Sequence, residues 1–497
     1  MSEENESAGF KWTGHPFIDF GVAVLMARCQ VDEPEHLTND KVAEFTEEAE
    51  DAYFTKPDLA TSIEIAGFRN YFFQPTYSEQ KKRELVKASL NAYSSTPNPE
   101  LPKCVFFHTP SVEILNRDRF PLIQGRDQIN FYPGGQSGIG VSGQALTAIQ
   151  ALMFGALRSQ GKLMILEADD PNLLRVVVRE WTEKIRLRIH LGQLGKEAGE
   201  IGPPKTTLIS TLEGIESARI SQKKVGEQRY HGGATLYHFS NSGQGPSLEL
   251  YPLPAAILSF VTTAKNAEYY TAWVEIELRS WPKPKPAKKG TSLPEDHAPE
   301  SSKKRGLPNY FYEALFTLPD EASKFVSRYF LATTQTLVKR AANLDVQEQQ
   351  NSISKVKALW NLTELFMEEV LEVRSERIQD IKELGDRLAE IARANRRRYS
   401  DFLQVRGDWF KIRQLLLRVS RREVADEHKP ILSLDQYLSV FQINEDLEKP
   451  DWGLAWDLVL IRMIERVYEL DPKFFKDDSD AISDDEADTS ESTTIND

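Results

Sequence analysis

Apolar positions in the last third of the chain recur at helical spacing. Ile353, Val356, Leu359, Trp360, Phe366, Val370 and Val373 follow one stripe, and Ile378, Ile381, Leu384, Leu388 and Ile391 a second. Trp409, Ile412, Leu416 and Val419 give a third, and Leu454, Leu458, Ile461, Ile464 and Tyr468 a fourth. This period of three and four predicts a bundle of four to five helices over residues 351–470. Ser433 and Gln436 stand at capping-box spacing and open a short helix to Phe441.

The first part of the chain mixes two periods. Residues 12–29 predict a turn, Thr13-Gly14-His15-Pro16, followed by an apolar helix with Pro16 at its first position. Further helices are expected in the acidic stretch 32–51 and over 81–90, 145–157 and 173–191, and strands over 105–108, 163–166, 206–211, 234–239 and 248–251. The expected fold class is α+β: a mixed N-terminal α/β region, a C-terminal helical bundle and a disordered acidic tail. The expected divisions are 1–281 as the mixed domain, 282–306 as a Pro/Lys-rich loop, 307–350 as a helical connection, 351–470 as the bundle and 471–497 as the tail.

Composition narrows the function classes. Hydrophobic residues make up 40% and charged residues 27%, a globular balance. The formal net charge is −14, which by itself argues against a nucleic-acid binder. Residues 471–497, however, carry ten acids against two lysines, so more than half of the −14 sits in that segment. Local patches therefore decide. The two cysteines, Cys29 and Cys104, form no CxxC or Cys/His cluster, which argues against a zinc site and a disulfide framework. The acidic start is unlike a secretory signal, and the longest apolar segment, Ala145 to Leu157, is too short to span a bilayer. A soluble cytoplasmic protein is expected.

Two kinds of motif could carry chemistry. Gly138, Gly140 and Gly143 make a literal GxGxxG before a helix, and Glu167 ends the next strand. In a dinucleotide-binding unit such glycines admit a pyrophosphate and the acid holds the ribose, which makes an NAD-dependent oxidoreductase the alternative reading. The other reading of these residues is a Gly-rich loop shaped by turns. The histidines form no HExxH and no triad, and His238 within a strand reads as structural. No catalytic residue, metal site or cofactor is expected.

The basic run is denser. Arg393, Arg396, Arg397, Arg398, Arg406, Lys411, Arg413, Arg418, Arg421 and Arg422 face only Asp401 and Asp408, with Tyr399, Phe402, Trp409 and Phe410 interleaved. Guanidinium forks suit phosphates and aromatic rings suit bases, so the run predicts a nucleic-acid surface; the plainer reading is a solvated helix face. Lys223, Lys224 and Arg229 form a smaller patch.

Three segments together resemble one family. Thr13-Gly14-His15-Pro16-Phe17-Ile18-Asp19-Phe20-Gly21 is similar to the TGNPF-x-D-x-G start of the large subunit of type I-B CRISPR surveillance complexes (Cascade), including those associated with transposons. The stretch from Phe131 to Gln150 resembles that family's Gly-rich loop and helix, and LYHFSNSGQGPSLELYPLPAAILSF, from Leu236 to Phe260, resembles its YHFxNxGQGP signature. His15 stands where the family pattern has Asn.

The resemblance implies a non-catalytic subunit that works with crRNA, target double-stranded DNA and the other Cascade subunits. It would read the PAM, help to form the R-loop and recruit a helicase-nuclease or a transposition adaptor. Gln136, Ser137, Gly138, Asn241 and Gln244, short residues in Gly-rich loops, become the candidate PAM contacts. In this family the small subunit can arise by internal initiation. Met367, or a non-ATG start near Val356, is the candidate start here.

Overall fold

The expected turn and first helix form around Asp19. Its carboxylate accepts hydrogen bonds from Thr13 N (2.8 Å), Thr13 Oγ1 (2.7 Å) and Gly14 N (2.7 Å). Gly14 takes a positive φ of 78°, and Pro16 opens α1 (Pro16–Cys29). Phe17, Ile18 and every residue from Phe20 to Met26 are buried, so α1 is covered on all sides. This computed structural model describes residues 7–122, 138–191, 200–222, 230–241, 246–282, 306–344, 346–425, 430–441 and 452–478. The chain divides into two compact units, residues 1–262 with 281–316 and residues 263–280 with 317–497.

In the first unit α1 is followed by α2 (Asn39–Thr55), α3 (Pro57–Ile65), α4 (Arg69–Phe72) and α5 (Glu79–Leu90). Then come β1 (Glu113–Leu115), β2 (Ile139–Val141), α6 (Gly143–Ala151), β3 (Leu157–Ser159), β4 (Lys162–Ala168) and α7 (Pro171–Leu191). The unit continues with β5 (Glu200–Ile201), α8 (Pro204–Ser221), β6 (Ala234–Ser240), β7 (Ser247–Leu253) and α9 (Ala255–Thr263). β1 and β2 pair with each other, and the other strands make a sheet in the order β5-β3-β4-β6-β7. Among the described residues only β3 and β5 run parallel. Gln160 and Gly161, both at positive φ, make the two-residue turn between β3 and β4. α1 seats Phe17 against Phe239 (4.8 Å between ring centres) and Tyr237 (6.3 Å) of β6.

The second unit is helical. It contains α10 (Ala267–Arg279), α11 (Ala332–Ala342), α12 (Val346–Glu369), α13 (Ser375–Ala394) and α14 (Arg396–Gln404). α15 (Trp409–Ala425), α16 (Leu434–Phe441) and α17 (Trp452–Leu470) complete it. Trp273, Trp360, Phe366 and Trp456 are buried in its core. α13 and α17 pack closely at Gly385, where an added Cβ would stand 2.7 Å from the Arg462 side chain. There Arg462 forks onto Asp386 (2.6 and 3.1 Å) and also pairs with Glu465, whose burial pushes its carboxyl up to about 7. The expected capping box at α16 is present: Gln436 N donates to Ser433 Oγ (3.1 Å) and Ser433 N to Gln436 Oε1 (3.2 Å).

The fold is α+β, with helices in the C-terminal half. Several local expectations change. Residues 206–211 belong to α8, because Leu208, Ile209 and Leu212 bury one helical face behind Pro204 at the first position. Residues 105–108 form a turn closed by His108 N to Cys104 O (2.9 Å). In the acidic stretch the helix begins only at Asn39, capped by Thr38. The helix expected to reach Leu157 ends at Ala151, and Leu157 opens β3.

The expected divisions also move. Residues 281–316 stay with the first unit, where Asn309 N donates to Thr206 Oγ1 (3.0 Å) and Tyr312 OH to Glu213 (2.8 Å). α10 belongs with the bundle, through Arg340 to Glu275 (2.8 Å) and Asn361 to Glu268 (3.1 Å). The chain past Asp471 keeps structure to Asp478, since Phe474 and Phe475 pack on Tyr399. The Pro/Lys-rich segment 283–305 and residues 479–497 lie outside the described residues.

Candidate nucleic-acid interface

The ten cations of the basic run divide into two groups. Four are tied to the second unit's own groups. Arg406 forks onto Asp457 through Nε to Oδ1 (2.6 Å) and Nη2 to Oδ2 (2.8 Å), and also reaches Ser327 Oγ. Arg396 donates to the Phe474 carbonyl and lies over its ring at 5.1 Å. Arg398 pairs with Asp401 (3.3 Å), and Lys411 with Asp408 (3.0 Å). Hydrogen bonds from Lys411 hold the exposed Asp408 carboxyl below its usual range.

Arg393 at the end of α13, Arg397 on α14, and Arg413, Arg418, Arg421 and Arg422 on α15 are exposed. Among the described residues, the first five of these enter no ion pair. The helical period explains the exposure on α15. α15 turns Ile412, Leu415, Leu416 and Val419 inward and thereby sets its arginines outward. Of the ten cations to which the sequence assigned a surface, five enter no ion pair among the described residues.

The loops of the first unit give a different picture. Asn241 is buried, with 3% of its surface exposed. Its Nδ2 donates to Ala66 O (3.0 Å) and Arg117 O (3.0 Å), and its Oδ1 accepts from Leu122 N (3.4 Å). Its backbone N–H donates to Ile65 O (2.8 Å). An amide so engaged is a strut between chain segments and is not presented to a groove. Gly138 has φ of 91°, and a Cβ there would stand 2.4 Å from Leu115 O. Gln136, Ser137, Gln244, Lys223, Lys224 and Arg229 lie outside the described residues.

The GxGxxG glycines serve packing. A Cβ at Gly140 would meet Pro102 O at 2.7 Å, and one at Gly143 would meet Ala92 O at 1.8 Å. β2 pairs antiparallel with β1, and Glu167 accepts the Tyr237 hydroxyl (2.7 Å). The space that a pyrophosphate needs beside these glycines is filled by backbone.

Two arrangements escaped the sequence reading. His15 is wedged against Phe106 (4.8 Å) and Phe120 (5.7 Å), and burial pushes its pKa from 6.5 down to about 4. Buried His238 places Nδ1 3.0 Å from Glu249 Oε2 and Nε2 2.9 Å from Ser159 O. Lys162 (2.6 Å), Tyr251 and His238 together hold the Glu249 carboxyl down at about 2. The strand alternation that sets Glu249 and Tyr251 on one side of β7 was the available signal.

Among the described residues no group of three or more His, Cys, Asp or Glu side chains could hold a metal ion, and no helix is long and apolar enough to cross a membrane. The chain matches no family model, and neither the curated proteins nor the solved structures yield a match.

Proposed function

We propose that this chain is the large, non-catalytic subunit of a type I CRISPR RNA-guided complex, acting in the cytoplasm on target double-stranded DNA beside a crRNA and the other Cascade subunits. In this reading it recognises the PAM, assists R-loop formation and recruits an effector protein. The observation that carries the reading is the set of exposed arginines on α13, α14 and α15, of which Arg393, Arg397 and Arg418 are free of ion pairs among the described residues. Guanidinium groups left to solvent suit phosphate oxygens, and such contacts set affinity without reading sequence.

The motif residues support the reading in a second way. Asp19, Gly14, Gly21, Asn241 and His238, which carry the family resemblance, are all structural ties in this fold. Residues with such duties are what a related fold would have to share. With Asn241 occupied, PAM reading falls to Gln136, Ser137 and Gln244.

The test is purification of the complex from its native cells through a tagged copy of this chain, with sequencing of the bound nucleic acid. Repeat-derived guide RNA together with the products of neighbouring genes supports the proposal. A chain that purifies without RNA and without those partners overturns it.

A further inference from the structure

Beyond its arginines, α15 exposes an apolar seam. Phe410, Leu417 and Val424 are 65%, 50% and 53% exposed, and they stand seven residues apart. Seven residues are nearly two helical turns, so the three side chains fall in one row that drifts by only ~20° per step. The row runs ~21 Å along the helix. It lies opposite Ile412, Leu415, Leu416 and Val419, which face the core. Arg421 lies within the row, while Arg413 and Arg418 flank it on opposite sides. These three arginines enter no ion pair among the described residues.

We propose that this face is the seat of an amphipathic, acidic helix belonging to a different protein. A seam repeating every seven residues is the surface along which a second helix packs, its own apolar row set into the gaps of the first. Charge decides the occupant's chemistry. Cations within and beside a helical seam are matched by carboxylates flanking the apolar row of the partner. A second copy of this chain would bring Arg413, Arg418 and Arg421 against their own equivalents, and like charges across a helical seam reject that pairing. A single-stranded nucleic acid would satisfy the arginines and could stack a base on Phe410, but it would leave Leu417 and Val424, two of the three side chains of the seam, without a fitting partner, since neither offers an aromatic face. The proposal goes beyond the nucleic-acid reading and does not depend on it. Phosphate contacts fall to Arg393, Arg397 and the Arg418 side, and the partner helix takes the apolar row.

The test uses the full chain and a fluorescent synthetic helix of ~21 residues, with leucine at the a and d positions and glutamate at e and g. A second peptide carries lysine in place of each glutamate, and single-stranded oligothymidylate reports nucleic-acid binding. The glutamate peptide is expected to bind, and the lysine peptide to bind at least about tenfold more weakly. Leu417→Ser with Val424→Ser should weaken the glutamate peptide by at least about tenfold and leave oligothymidylate binding within about twofold. Both side chains are exposed, and the circular dichroism of the variant checks its fold. Arg413→Ala with Arg421→Ala gives a second, independent loss of peptide binding. The proposal is overturned if the seam variant binds the peptide as the parent does, or if it loses oligothymidylate in the same proportion. It is also overturned if sedimentation shows a dimer of the parent chain that the seam variant abolishes.

Discussion

The guanidinium of Arg406 and the carboxylate of Asp457 meet through two parallel hydrogen bonds, at 2.6 and 2.8 Å, and Asp457 is only 4% exposed. Arg406 is part of the basic run by charge but an internal strut by geometry. Arg406→Ala takes these two hydrogen bonds from a buried carboxylate, which should cost about 1–3 kcal/mol, the lower part of the usual range because the arginine itself is half-exposed. Thermal denaturation should show the loss, while the salt dependence of nucleic-acid binding stays unchanged. A variant as stable as the parent but weaker on DNA would return Arg406 to the interface.

Asn241 leads to a similar reversal. Asn241→Ala would leave the carbonyls of Ala66 and Arg117 and the N–H of Leu122 without this partner. One buried and two partly buried polar groups deprived of this amide put the expected loss at about 1–3 kcal/mol. A chemical-denaturation midpoint equal to that of the parent, with an altered PAM preference, would contradict the structural role.

His15 predicts a pH dependence. Burial lowers its pKa from 6.5 to about 4, so the folded chain takes up the proton less readily than the unfolded one. The stability linked to the neutral ring is therefore complete above pH 6.5 and is lost as the pH falls toward 4. His15→Asn should remove roughly 2–3 kcal/mol of the difference between about pH 7.5 and about pH 4.5. An equal change in urea-unfolding free energy between these two pH values for both proteins would count against this account.

The C-terminal bundle does not begin where its first stripe does. Phe325 and Phe330 each lie 5.2 Å from Phe366, and α10 adds the fully buried Trp273 to the same unit. Met367 is itself buried in α12. A fragment starting near Val356 lacks α10, α11, Phe325 and Phe330. It should show a broad, weakly cooperative melt by calorimetry, whereas a sharp transition would mark residues 356–497 as a self-sufficient domain.

The helical stripes, the capping box at Ser433 and the strands at 163–166, 234–239 and 248–251 were legible because burial writes its period directly into the sequence. Residues 206–211 misled because Thr206, Thr207, Ile209 and Thr211 are β-branched, and only packing against the rest of the unit makes them a helix. Charge density located the basic surface but could not separate Arg406 from Arg413. That difference depends on Asp457, fifty-one residues away in sequence. The role of Asn241 was hidden in the same manner, since its partners come from α3, from the loop after β1 and from the turn at Leu122.

Nucleic-acid binding by the exposed arginines is the centre of this account, and its salt dependence tests it most directly. The affinity of the full chain for a duplex and for a single strand should be measured across a salt series, beside Arg393→Ala, Arg397→Ala and Arg418→Ala combined. Each phosphate contact removed should lower the slope of log K against log salt by about one unit, alike for every sequence. The account predicts a slope smaller by roughly two to three units in the triple variant, with the thermal midpoint unchanged. An unchanged slope in a folded triple variant would contradict it and leave these arginines as a solvated helix face.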